Sequence, residues 1–384
     1  MSASGDDCLA MNVLYVCNDH AYFEAHRRWL AEEARRQGMA VSVACGHVRT
    51  DDESLGPVDF PLQVERHSLS VPGDLALALA ILRAVRSTKA DVVHLITIKP
   101  VLVGLLALWL VPSVRRVVAT FPGLGRLFDP ADDSAKARLR RRLVLLGLKL
   151  GLAPSRVKAV FETEADRATL VGLGVAPPNQ AFHIAGAGVD PGAFRRAPLP
   201  EGRFTVLFAG RLLRAKGVLV VTEAARQVAA TRHDIHFVIA GGAQAGDPDG
   251  LDGAELAALA RDPHVELLGP VPIQQIPDLL ARAHVVVLPT SYQEGVPRIL
   301  IEAGAVGRPA IVSDNEGCKA FVEDGQSGLV LESLTADALA AAVIQLASDR
   351  TLIEKLAAGA SARVSEGRFS QRDVAITTLA LYRA

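Results

Sequence analysis

In the stretch Val206 to Gly217 an apolar run ends at Gly210 and gives way at once to Arg211, Arg214 and Lys216, where a helical pattern begins. Unbonded amides at a helix start and the positive end of its dipole attract an anion, and two cations beside them add charge-assisted hydrogen bonds. A diphosphate suits that chemistry, although an ordinary strand exit with solvated charges has the same residues. The stretch Ser291 to Gly304 follows a second strand end at Pro289, with Glu294 ahead of a helix that Pro297 opens favourably. Glu294 at the least complements the dipole of that helix. Glu302 sits among Ile299, Leu300, Ile301, Ala303 and Ala305, so it is expected to be buried, and a buried carboxylate needs hydrogen-bond donors. Sugar hydroxyls are suitable donors.

Short β-branched runs alternate with longer helical patterns along the whole chain, which predicts βαβ units and parallel sheets. In the first half, strands are expected at Asn12 to Cys17, Val41 to Ala44, Val92 to Ile96, Val117 to Phe121 and Val157 to Phe161. Helices are expected between them at Phe23 to Gln37, Leu75 to Ser87, Leu102 to Leu110 and Ala135 to Leu150. The second half repeats the theme, with strands at Thr205 to Ala209, His236 to Ala240, Val265 to Leu268, Val285 to Leu288, Ala310 to Ser313 and Leu329 to Leu331. A Gly- and Pro-rich linker, Ala185 to Glu201, separates the halves. The fold class is therefore α/β, with two Rossmann-like doubly wound parallel-sheet domains facing a central cleft. Ligands in such folds bind outside the carboxyl ends of the strands.

The 384 residues carry 41 basic and 42 acidic side chains, so no global field favours nucleic acid and any anion site must be local. Cys8, Cys17, Cys45 and Cys318 show neither paired nor metal-like spacing, which fits a reduced, cytoplasmic protein. The polar start with Asp6 and Asp7 is unlike a secretory leader. The longest apolar run, Val101 to Val111, is shorter than the roughly 20 residues a bilayer span needs and reads as a buried helix. Asp247-Pro-Asp249 spells a D-x-D pattern but lies in a Gly-rich stretch and reads as a turn, so neither a metal nor a cofactor is expected.

Taken with their order, these motifs resemble a known family. The Glu294 to Glu302 spacing resembles the E-x7-E signature of GT-B retaining glycosyltransferases, and Glu294-Gly-Val-Pro297, Gly307-Arg-Pro-Ala310 and Asp324-Gly-Gln-Ser-Gly-Leu329 look like glycosyltransferase family 4. Gly210, Arg211 and Lys216-Gly217 are similar to that family's phosphate-binding stretch. The resemblance implies that residues 1–190 bind the acceptor and 191–365 bind a nucleotide-sugar, with 366–384 as a helix packing back toward the first domain. It further implies that Arg211 and Lys216 hold the donor diphosphate, that Glu294 bonds the transferred sugar near the Gly295 and Val296 amides and Pro297, and that Glu302 takes the ribose hydroxyls. Gly269, Pro270 and Val271 would flank the base. Glu294, Arg211 and Lys216 are the implied catalytic set.

In the first half, Phe23-x-x-His26-Arg27, His94 to Pro100 and Thr120 to Gly125 resemble a subgroup acting on lipid-linked glycans in bacterial surface polysaccharide and protein glycosylation pathways. The implied acceptor residues are His26, Arg27, His94, Lys99, Gly123 and Gly125. A lone His beside apolar residues equally fits a core role. Where the broader family has a His near this turn, the chain has Phe121 and Pro122. The basic segment Lys136 to Lys158 reads either as a solvated face or as a surface touching anionic lipid at the inner face of the cell membrane. The implied partners are a nucleotide-sugar, with UDP preferred by the subgroup resemblance, and a glycan acceptor on polyprenyl diphosphate. Two readings compete: a non-hydrolysing nucleotide-sugar epimerase, and a non-catalytic partner subunit that kept the fold. A nicotinamide dehydrogenase fits less well, because Asn18 to His26 lacks G-x-G-x-x-G.

Overall fold

The computed structural model describes residues 11–48, 55–64, 70–125, 134–243, 247, 249–292, 295–366 and 369–384. It divides into two units: the chain up to Ile184 together with Ala375–Ala384, and Ala185–Val374.

The first unit contains β1 (Asn12–Cys17), β2 (Ala40–Gly46), β3 (Phe60–Leu62), β4 (Val92–Ile96), β5 (Arg116–Phe121), β6 (Val157–Phe161) and β7 (Ala181–His183). Among the described residues these form a seven-stranded sheet in the order β3-β2-β1-β4-β5-β6-β7, paired in parallel. Every residue of β4 is buried, as a strand covered on both faces must be. The helices are α1 (His20–His26), α2 (Arg28–Arg36), α3 (Val71–Thr88), α4 (Ile98–Leu108), α5 (Ala135–Leu152) and α6 (Glu164–Gly172). The single helix expected over Phe23 to Gln37 is in fact broken at Arg27, whose φ of −135° leaves the helical region. The guanidinium of Arg27 is drawn into a buried ion pair with Glu162, while its carbonyl accepts from the Leu30 and Ala31 amides at 3.0 and 3.1 Å and starts the next helix. No Gly or Pro marks that break, so local propensity gives no warning of it.

The second unit contains β8 (Phe204–Ala209), β9 (Ile235–Ala240), β10 (Val265–Gly269), β11 (Val285–Leu288), β12 (Ala310–Ser313) and β13 (Gly328–Leu331). Its described strands form a parallel sheet in the order β10-β9-β8-β11-β12-β13. Around them lie α7 (Val218–Ala229), α8 (Gly253–Ala260), α9 (Ile276–Ala281), α10 (Arg298–Val306), α11 (Glu316–Lys319), α12 (Ala336–Ser348) and α13 (Arg350–Ser365). A last helix, α14 (Gln371–Arg383), carries the chain back into the first unit. In both sheets the winding reverses direction once, between β1 and β4 and between β8 and β11, and such reversals open a crevice at the carboxyl ends of the strands.

One buried charge braces the second unit. Arg308, only 1% exposed, has no carboxylate partner among its described contacts and instead donates to the carbonyls of Leu280, Ala281, Ala197, Pro198, Val306 and Gly307. Those carbonyls belong to the end of α9, the turn after α10 and the linker, so one guanidinium ties three segments together. Burial pushes its pKa down to about 10, which still leaves it charged at neutral pH.

Candidate functional site

The residues read as a donor site line the carboxyl edge of the second sheet on four adjacent strands. At the end of β8, the Gly210 amide donates to Ala240 O at 2.9 Å, and at the end of β9 the Gly241 amide donates to Gly269 O at 2.8 Å. A side chain at Gly241 would put its Cβ 1.7 Å from Gly210 O, so only glycine fits there. A register shift between Leu267 and Gly269 bends the end of β10, where Gly269 sits at φ +71° and Pro270 packs on Gly242. Val271 follows, packed against the core.

Across the reversal point the Arg211 to Gly217 turn is bound tightly to the segment after β11. The carbonyl of Ala215 accepts from the amides of Ser291 and Tyr292 at 2.8 and 3.2 Å and from Thr290 Oγ1 at 3.0 Å. Gly217, at φ +80°, lies so close to Pro289 that a Cβ would stand 1.9 Å from its carbonyl oxygen. This docking brings the two cations together: Arg211 Cζ and Lys216 Nζ lie 5.7 and 5.9 Å from the centroid of the same Tyr292 ring. Such cation–π contacts hold both charges against this ring. Immediately after Gly217, α7 begins with no side chain capping its amides. Asn315 Nδ2 donates to Tyr292 O at 2.8 Å and fixes the platform from β12.

Glu302 is 5% exposed, and its Oε1 is paired with Arg298 Nε at 2.6 Å one turn earlier on α10. Burial raises its pKa, and the Arg298 charge opposes that rise. Gly295, Val296 and Pro297 lead into the same helix, with Val296 buried. Glu294 lies outside the described residues. Asp247 and Asp249, after β9, lie against the Arg211 to Gly217 turn. Asp249 Oδ2 accepts from the Ala215 amide at 3.0 Å, and Asp247 Oδ2 lies 3.9 Å from Arg211 Nη1. Among the described residues, no three His, Cys, Asp or Glu side chains group to hold a metal ion.

Tyr292 and Arg298 are residues of the candidate site that sequence reading did not single out, and Asp247, read there only as part of a turn, lies beside Arg211. Arg298 had a readable signal, since it precedes Glu302 by four residues and therefore shares its helix face. Tyr292 had none, because its role depends on the turn from β8 lying against it.

Most of the residues read as acceptor-binding are engaged by other groups of the first unit. His26, at the end of α1, stacks on Tyr22 at 4.3 Å between centroids. Lys99 pairs with Asp74 at 2.9 Å, and Arg27 is buried against Glu162. His94 is 1% exposed and bonded at both ring nitrogens, Nδ1 to Tyr382 OH at 2.6 Å and Nε2 to Thr120 Oγ1 at 2.7 Å. Tyr382, from α14, also donates to Tyr15 OH at 2.9 Å. The geometry makes His94 a fastener for the last helix. Gly123 and Gly125 follow β5, with Gly125 at φ +51°. At the reversal point of this sheet Thr97 holds φ +72°, an uncommon conformation for a β-branched residue.

Burial, and secondarily the Arg27 charge, pushes the pKa of His94 down to about 3. The folded imidazole thus binds its proton less readily than in the unfolded chain, where the value is about 6.5, and the stability present above pH 6.5 drains away as pH falls. Between pH 6.5 and 5 the first unit is expected to lose roughly 1.5–2 kcal/mol. Urea midpoints across that range check this against His94→Gln, whose slope should be flatter; equal slopes would show that another group carries the dependence.

Two parallel doubly wound sheets of seven and six strands, among the described residues, define the GT-B class of fold. Residues 24–192 match the sequence model described as Glycosyltransferase Family 4, and residues 191–363 match the one described as Glycosyl transferases group 1. The chain belongs to this family of glycosyltransferases. It is similar, at 31% identity over 250 residues, to a D-inositol 3-phosphate glycosyltransferase of a Nocardioides species, with 58% of this chain and 53% of that protein covered. It is 34% identical over 173 residues to the alpha-D-kanosaminyltransferase of Streptomyces kanamyceticus, covering 44% of each. The chain spans about half the length of the curated relatives it matches. In fold it is similar to sucrose-phosphate synthase of Thermosynechococcus elongatus, with a TM-score of 0.79 at 20% identity over 97% of this chain and 98% of that one. It is also similar to Anabaena HepE in complex with UDP and glucose, with a TM-score of 0.76 at 19% identity over 97% and 100%.

Proposed function

We propose that the chain is a retaining glycosyltransferase that moves a hexosyl group from a UDP-sugar to a glycan acceptor carried on polyprenyl diphosphate. The observation that carries this reading is the convergence of Arg211 and Lys216 on one ring at the reversal point of the second sheet, beside the segment that leads to buried Glu302. Two fixed cations at the start of an uncapped helix suit a diphosphate whose charge grows as the glycosidic bond breaks. In this reading they neutralise the leaving group themselves, so no metal is invoked. Glu302, oriented by Arg298, takes the ribose hydroxyls, and Glu294 bonds the transferred sugar. The choice of UDP is supported by the solved structure of HepE with UDP.

The reaction is a front-face displacement. The acceptor oxygen bonds to the anomeric carbon on the face from which the diphosphate leaves, and the acceptor proton passes to the departing phosphate oxygen. In the first unit His94 and Arg27 position the surrounding elements, while His26, Lys99 and the Gly123 to Gly125 turn offer groups to the acceptor. Glu294→Gln tests the central assignment. Turnover is expected to fall at least tenfold while UDP affinity changes less than twofold, because the lost partner is the sugar and not the nucleotide. Parallel loss of both would make Glu294 structural, and UDP release without acceptor would favour an epimerase.

A further inference from the structure

We propose that the outer face of α5 is a docking surface for an anionic phospholipid bilayer. The helix buries Ala137, Val144, Leu148, Gly151 and Leu152 against its own unit. On the opposite side Leu139, Leu143, Leu146 and Leu150 stand 59%, 56%, 55% and 49% exposed. At 3.6 residues per turn these four positions fall within about 60° of one another, so they form one apolar stripe facing away from the core. The periodicity that buries one face of a surface helix is therefore present twice, and the second face has no partner within the described unit.

The charges on the same helix identify the occupant. Arg142 and Lys149 flank the stripe on one side, Lys136 and Arg140 on the other, and α5 contains no Asp or Glu. An apolar centre bordered on both sides by cations complements a bilayer interface, where acyl chains lie beneath a layer of phosphates. A soluble anion would use the cations and leave the leucines unexplained. The face continues onto α4, since a methyl group at Gly147 would lie 3.8 Å from Leu106 Cδ1. Leu106 is 42% exposed, and Trp109, three residues further on, is 54% exposed. No helix among the described residues is long and apolar enough to cross a membrane, so the contact proposed is interfacial.

This inference stands apart from the donor chemistry, and its test uses a different readout. The full chain is sedimented with vesicles of phosphatidylcholine alone and of phosphatidylcholine with 30% phosphatidylglycerol. Binding to the anionic vesicles is expected to be at least tenfold tighter, and to weaken strongly between 0.1 and 1 M salt as the screening length shrinks from about 10 to about 3 Å. The pair Leu143→Ser and Leu146→Ser should lower vesicle binding at least tenfold while circular dichroism and UDP affinity stay unchanged. The pair Arg142→Gln and Lys149→Gln should lower it roughly 30-fold. Absence of binding to the anionic vesicles overturns the proposal, as does binding indifferent to the leucines. A wild-type dimer that the leucine pair dissociates also overturns it, because the stripe would then be covered by a second copy.

Discussion

Lys216→Ala is expected to weaken UDP binding by about 1.5–3 kcal/mol and to lower turnover roughly 100- to 1,000-fold, with the unfolding midpoint nearly unchanged. The asymmetry follows from when the charge matters. UDP-sugar already carries a diphosphate in the ground state, but charge accumulates on the leaving oxygen as the sugar departs, so a fixed cation contributes more to the transition state than to binding. Lys216 should matter more here than a count of cations suggests. Arg211 shares the Tyr292 ring with it, yet Arg211 also lies 3.9 Å from Asp247 Oδ2, which offsets part of its charge. Titration calorimetry with UDP and steady-state turnover with a saturating donor separate the two effects. Unchanged UDP affinity would remove Lys216 from the phosphate site, and a turnover loss no greater than the affinity loss would make it a binding group only.

The parallel sheets were legible because their central strands are short, largely buried and rich in β-branched residues, leaving no competing period. β1, β4, β6, β11 and β12 fall on the expected residues without adjustment. The edge strands β3 and β7, three residues each, were not expected, since a run so short has no pattern of its own and is recruited by its neighbour's backbone. In the candidate donor site, Gly210, Arg211, Lys216 and Glu302 could be chosen from sequence because each stands at a strand exit or in an apolar helix where a charge needs a reason. What sequence could not supply was the pairing between distant segments. Tyr292 gains its role from Ala215, seventy-seven positions earlier, and the Asp247 to Asp249 turn gains its role by bonding to that same residue's amide. His94 is the converse case. Its motif implied an acceptor ligand while its type fitted a core role equally, and a tyrosine 288 residues away and a threonine on β5 claim both ring nitrogens.

The family-like Gly307-Arg-Pro-Ala310 segment acquires a physical reason from Arg308, and Arg308→Met is expected to destabilise the second unit by about 3–5 kcal/mol. Methionine restores the volume but none of the donors, so carbonyls of α9, of the turn after α10 and of the linker all lose a partner at once. The effect should exceed that of a typical surface arginine, because at 1% exposure little water can replace the missing guanidinium. Arg308→Lys should recover only a small part: an ammonium is a compact charge with three donors and cannot span acceptors that the planar fork reaches together. The consequence extends to the donor site. The Arg308 amide bonds Ala303 O at 2.7 Å and closes the end of α10, the helix whose first turns hold Arg298 and Glu302. Loosening that end should raise the KM for the donor before it lowers kcat, because the groups disturbed are those assigned to the nucleotide rather than to the reacting carbon. Urea denaturation of the second unit with donor kinetics on the same preparation tests both parts. A loss below about 1 kcal/mol would mean that the surrounding carbonyls find water without difficulty, and would reduce Arg308 from a brace to a spectator.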